Sequence, residues 1–155
     1  MNIEIANRQK ALRWRSDVIR RTLEAALEAE GRDADLSVAL VGNEEMAALN
    51  ERFLGRSGPT DVLAFPYGDE GGLVSGEIVV NAELALRQAE GRGHSATDEL
   101  LLYLVHGALH LLGYDDRAPA GRRRMRERER QVLSGLGRKV ESRRPRGGEG
   151  SAGRG

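Results

Sequence analysis

The 155 residues predict an α+β fold, or an irregular α/β one, with four short strands and about five helices around a buried central helix. Three observations point there. Strand-like alternation and helical stripes interleave along the chain rather than segregating. Residues 100–112 are apolar on nearly every side, as a helix through a core must be. The length suits one domain that needs no staple, and there is no cysteine to make one.

Taken in order, residues 1–6 alternate, with Ile3 and Ile5 on one face, and read as a strand. Residues 8–30 carry a helical stripe of Leu12, Ile19, Leu23, Ala26 and Leu27, closed by Gly31. Residues 36–41 read as a second strand. Asn43 is a candidate cap for a helix with Glu44 and Glu45 at its positive end and a buried face of Met46, Leu49 and Phe53. After a loop at 55–59, residues 61–65 read as a strand and the Gly- and acid-rich 66–73 as an exposed loop. Residues 78–80 form the fourth strand, ending at the cap candidate Asn81, and a short helix follows at 82–90. Ser95 and Asp98 make a capping box for the central helix, which Gly113 ends. Residues 118–136 are amphipathic, with Met125, Val132, Leu133 and Leu136 inward. Residues 137–155 are Gly, Arg and Ser with almost nothing to bury, which predicts a disordered tail after a folded domain of 1–136.

The formal net charge is zero, but it is the sum of two opposed blocks. Residues 1–116 hold 11 basic and 20 acidic residues, a net −9; residues 117–155 hold 13 and 4, a net +9. Such asymmetry points to contact with nucleic acid or a membrane surface. No stretch is apolar and long enough to span a bilayer, and the N-terminus lacks a signal-peptide pattern, so the expected location is the cytoplasm.

His106 and His110 carry the chemistry. Four residues along a helix put both imidazoles on one face, a turn apart, where they can converge on one cation. A hydrogen-bonded pair of core histidines is the competing reading. Gly113 then lets the chain turn back, and Asp116 completes HxxxHxxGxxD, a set of three ligands that leaves an open position. The residue after the first histidine is Gly107, so the general base of an HExxH peptidase is missing. His94, in a polar stretch, reads as an exposed loop residue. Arg122, Arg126 and Arg130 share a helix face, but Glu127 and Glu129 interleave, so a solvated face with ion pairs is the simpler account than an RNA surface.

The segment from His106 to Asp116, HGALHLLGYDD, resembles the HGxLHLxGYDH signature of the YbeY endoribonucleases, bacterial rRNA maturation factors. Leu49-Asn50 and the run Pro59-Thr60-Asp61-Val62-Leu63-Ala64-Phe65-Pro66 resemble that family's LN…TDVLSFP segment, and Gly76-Glu77-Ile78 its Gly-Asp-Ile. The resemblance covers roughly residues 1–136. It implies a small mixed sheet flanked by helices and one zinc ion per chain at His106, His110 and Asp116. It also implies a single-strand endoribonuclease acting in 16S rRNA 3′-end maturation and ribosome quality control. Its partners would be rRNA, the small ribosomal subunit and a ribosome-associated GTPase.

Two departures matter. Asp116 stands where the family has a third His; its charge makes a metal a weaker acidifier of water and suits harder ions better. Leu54 stands where the family commonly has an Arg tied to RNA cleavage, which leaves Arg56 as the candidate catalytic residue, to steady charge on phosphate oxygens. No side chain stands out as general base; Asp115 and a hydroxide on the metal are the two candidates. Thr60 and Asp61 would shape the cleft or bond the turn. A non-catalytic ribosome-assembly factor with a structural metal is the alternative function; a metallopeptidase is disfavoured by Gly107.

Overall fold

The computed structural model describes residues 1–140. Its elements are β1 (Asn2–Asn7), α1 (Ser16–Ala29), β2 (Asp33–Val41), α2 (Asn43–Leu54), β3 (Val62–Glu70), β4 (Leu73–Asn81), α3 (Ala82–Arg92), α4 (Ala96–Leu111) and α5 (Pro119–Gly135). The strands form one mixed sheet in the order β1-β2-β4-β3. β1, β2 and β4 run parallel, and β3 is antiparallel to β4. The class is α+β, as the interleaved patterns predicted.

The sheet has two unequal cores. On one face Ile3, Leu36, Val38, Ile78 and Val80 meet α1, α4 and α5. On the other, Val41, Leu63 and Val79 meet α2 alone, through Met46, Leu49 and Leu54. Every residue of α4 from Glu99 to Leu109 is buried, so the central helix predicted from its uniform apolarity is the centre of the larger core. Ser95 caps it, its hydroxyl accepting from the Asp98 amide at 3.0 Å. Asn81 caps α3 in the same way, accepting from the Leu84 amide at 3.0 Å.

Several expectations are corrected. The first helix starts at Ser16, not at residue 8, because the Gln9 amide folds the preceding segment into a loop. Its Nε2 donates to Asn7 Oδ1 (2.7 Å) and to the Leu12 carbonyl (3.0 Å), and its Oε1 accepts from the Leu12 amide (2.9 Å). Asn43 is the first helical residue rather than the cap. Its Oδ1 accepts from Asn81, and the cap position falls to Gly42. Phe53 is 54% exposed instead of inward, turned edge-on to Phe65. Residues 66–70 are strand, not loop. Gly71 and Gly72, at φ of 60° and 82°, supply the tight two-residue turn that pairs Glu70 with Leu73. Beyond residue 136, Arg138 pairs with Asp98 at 2.9 Å and Val140 is buried. The rest of the expected tail lies outside the described residues. No helix among the described residues is long and apolar enough to cross a membrane.

The approach of α4 to the sheet is set at Gly107. A Cβ there would stand 2.9 Å from Ile78 Cγ2 and 3.0 Å from Val62 Cγ2, both on stiff β-branched side chains. Gly107→Ala is therefore expected to destabilise the protein by about 1–2 kcal/mol in urea unfolding, overpacking outweighing the roughly 1 kcal/mol that Ala gains in a helix. A more stable variant would show that the helix does not lie so close.

Candidate metal centre

α4 places His106 and His110 one turn apart with their rings edge to face, centroids 4.7 Å apart, and their Nε2 atoms separated by 3.2 Å. Past Leu112 the chain reverses at Gly113, whose φ of 97° suits glycine. The reversal is fastened by the Tyr114 amide donating to the Leu109 carbonyl at 3.0 Å. It returns Asp116 to the helix, with Oδ2 at 3.6 Å from both Nε2 atoms.

The three atoms thus form a triangle with sides of 3.2, 3.6 and 3.6 Å. Ligands on a tetrahedral zinc at about 2.0–2.1 Å are separated by roughly 3.3–3.4 Å. The triangle is close to one face of such a tetrahedron, and the three residues make a candidate metal-binding triad. The two histidine nitrogens are also within hydrogen-bond distance of each other, so a shared proton and a shared cation call for the same arrangement.

α5 closes the centre from the side. Gly121 lets its first turn pass so close to the loop that a Cβ would lie 2.0 Å from the Asp115 carbonyl oxygen. Arg122 Nη1 donates to the carbonyls of Asp116 (3.2 Å) and Arg117 (3.3 Å). Further along, Glu129 Oε2 lies 2.6 Å from His106 Nδ1. Glu129 is only 2% exposed, and its Oε1 is buried with no hydrogen-bond partner among the described residues.

Two carboxylates therefore face the two histidines, and the ionisation reflects it. Burial opposes a charged His106, but the Glu129 charge and the bonds to Asp116 and Glu129 outweigh it and push the ring up to about 9. His110 is pushed down, by burial first and then by the charge on His106. Burial would raise Asp116, yet its bonds to both histidines hold it well below the ordinary carboxylate range. Two carboxylates set against the histidines favour positive charge at the centre. A divalent ion would displace a proton held there and answer the same two carboxylates.

The other expected residues lie apart from the triad. Arg56 is exposed on the loop between α2 and β3. Asp61 Oδ1 accepts from the Val62 amide (2.7 Å) and the Thr60 hydroxyl (3.4 Å), and Asn81 Nδ2 donates to the Thr60 carbonyl at 3.1 Å. These two residues brace the turn. Asp115 is engaged on the surface by Arg117 at 2.7 Å; the hydrogen bonds from Arg117 hold it down to about 2, which suits it poorly to act as a base. Leu54 packs into the smaller core. Of the arginines on α5, Arg122 holds the loop, Arg128 pairs with Glu30 at 2.8 Å and Arg130 with Glu127.

Two residues expected at the surface have buried side chains. Glu129 is not part of a solvated face; it sits four residues after Met125 and three before Val132, on the buried stripe of α5, and that spacing was the available signal. His94 is not exposed either. Its side chain is 6% accessible, with Nε2 2.5 Å from the fully buried Glu99, which Arg92 also meets at 2.8 Å.

Residues 3–137 match the family model described as Endoribonuclease YbeY. The chain is 43% identical over 121 residues to the Endoribonuclease YbeY of Halorhodospira halophila, covering 74% of this chain and 79% of that protein. It is 42% identical over 151 residues to that of Salinispora tropica, covering 86% and 95%. The fold is similar to the solution structure of TM1509 from Thermotoga maritima, with a TM-score of 0.61 and 30% identity over 86% of this chain and 91% of that one.

Proposed function

The chain belongs to the Endoribonuclease YbeY family, and from that membership we propose that it is a metal-dependent endoribonuclease that cuts single-stranded RNA, acting in 16S rRNA 3′-end maturation and ribosome quality control. The observation that carries the metal half of this reading is the triangle of His106, His110 and Asp116, already spaced for a tetrahedral ion. Zinc is the ion proposed, one per chain. When bound, it would supply Lewis-acid polarisation of a phosphate oxygen or a water. The protein's part is to hold the three ligands still, with α5 and the Gly113 turn as the frame. Arg56, exposed beside β3, is proposed to steady the phosphate. The body outside the basic C-terminal part is strongly acidic, so a cationic contact to RNA is expected from Arg56. The proposed partners are rRNA, the small ribosomal subunit and a ribosome-associated GTPase, in the cytoplasm.

One observation favours a second reading, a non-catalytic assembly factor. Leu54, where the family resemblance expects an arginine, lies against the smaller core and cannot reach a phosphate as a charge. Cleavage of a single-stranded rRNA fragment separates the two. Wild-type protein is expected to cut it, and both chelation and Asp116→Ala are expected to lower the rate about 100-fold or more, with metal content falling in parallel. Equal residual cleavage by all three would assign the protein to assembly alone.

A further inference from the structure

We infer that Glu129 is a positioning residue for the centre: it fixes the tautomer and ring plane of His106 and sets the charge of the site at minus two. The inference rests on the reading of His106, His110 and Asp116 as metal ligands.

The inward stripe of α5 is Gly121, Met125, Glu129, Val132 and Leu133. A carboxylate in that row is out of keeping with its neighbours, since buried charge is stable only when paired. Nothing in helix packing asks for it; a Leu or Met would fill the place. Its Oε2 is aimed at Nδ1 of His106, at 2.6 Å. An ionised carboxylate only accepts, so Nδ1 must carry the proton and donate it. The lone pair is then on Nε2, and Nε2 is the atom that faces His110 and Asp116. The bond chooses between two tautomers, and only the chosen one offers a ligand to the triangle.

The charge follows from the same geometry. Asp116 contributes one negative charge, Glu129 a second, and the two histidines bind neutral. A divalent ion leaves the assembled centre near neutrality. Outer partners of this kind typically change metal affinity by about 10–100-fold when removed.

The test uses the whole protein and cobalt(II) or zinc as the probe. Wild type, Glu129→Gln and Glu129→Ala are titrated with the ion against a competing chelator, and the visible cobalt spectrum is recorded alongside unfolding of the metal-free forms. Glu129→Ala is expected to weaken binding about 10–100-fold. Glu129→Gln, which keeps an acceptor without the charge, is expected to fall between it and wild type, with a shifted cobalt spectrum. Affinity and spectrum unchanged in folded Glu129→Gln would overturn the proposal and leave Glu129 a packing residue. Should neither variant fold, nitrogen NMR of the wild-type zinc form decides: a protonated, hydrogen-bonded Nδ1 on His106 supports it, and an unprotonated one refutes it. Failure of wild type to bind one ion per chain is a different result, and would remove the metal reading itself.

Discussion

His110→Ala is expected to abolish RNA cleavage while leaving the fold nearly as stable as wild type, whereas His106→Ala is expected to lose both. The two histidines are equal as ligands but unequal as neighbours. His110 faces His106 and Asp116 within the triangle, and Asp116 keeps other partners when it goes. Among the described residues, His106 is the one group bonded to the buried Glu129 carboxylate. Deleting it strands that charge, which in buried pairs costs about 3–5 kcal/mol. At roughly 2–4 °C per kcal/mol for a domain of this size, the melting temperature should drop by about 10 °C. Loss of the ion should cost either variant about 100-fold or more in rate, as chelation of the wild type does. Thermal unfolding beside the cleavage assay checks both halves. Equal melting temperatures for the two variants would mean that the Glu129 pairing contributes nothing to the fold.

Gly121→Ala should disturb the centre without touching any of its side chains. In an isolated helix the change would stabilise by roughly 1 kcal/mol. Here the new methyl would stand 2.0 Å from a backbone oxygen, that of Asp115, which has no flexible end to swing away. α5 must back off from the loop, at a cost at or above the upper end of the usual 1–3 kcal/mol for overpacking. Both Arg122 bonds to the loop and the Glu129 contact with His106 ride on that helix. Metal affinity should fall at least about tenfold, in line with loss of an outer partner. Urea unfolding and a zinc titration measure the two effects. A stabilised variant with wild-type affinity would be incompatible with the helix lying where it does.

What could be read from the chain beforehand follows from which interactions are local. The central helix, its Ser95 cap and the convergence of His106 with His110 depend on spacings within one turn, and all three are found. Asp116 needed only a glycine at the right place to return. The failures involve partners distant in sequence. Residues 66–70 carry little apolar content, and only pairing with β4 makes them strand. Asn43 has good capping chemistry, but Asn81, 38 residues away, takes its side chain. Glu129 reads as solvated because charged residues usually are, and its partner His106 lies in another element. Within the arginine run, Arg128 and Arg130 form ion pairs and Arg122 fastens the loop, while the interleaved Glu129 turns inward to His106.

The contact at Gly107 bears on what this scaffold can become. One substitution, Gly107→Glu, would write HExxH across the centre and place a peptidase's general base beside the two histidines of the candidate metal triad. The backbone at that point lies against Val62 and Ile78, where even a methyl group is crowded. A carboxylate forced into that seam would be both overpacked and unpaired, and the chain would unfold before it hydrolysed a peptide. The neighbouring chemistry is one mutation away in sequence and out of reach in structure, so the packing of one helix on one sheet confines this chain to reactions that need no base at that position.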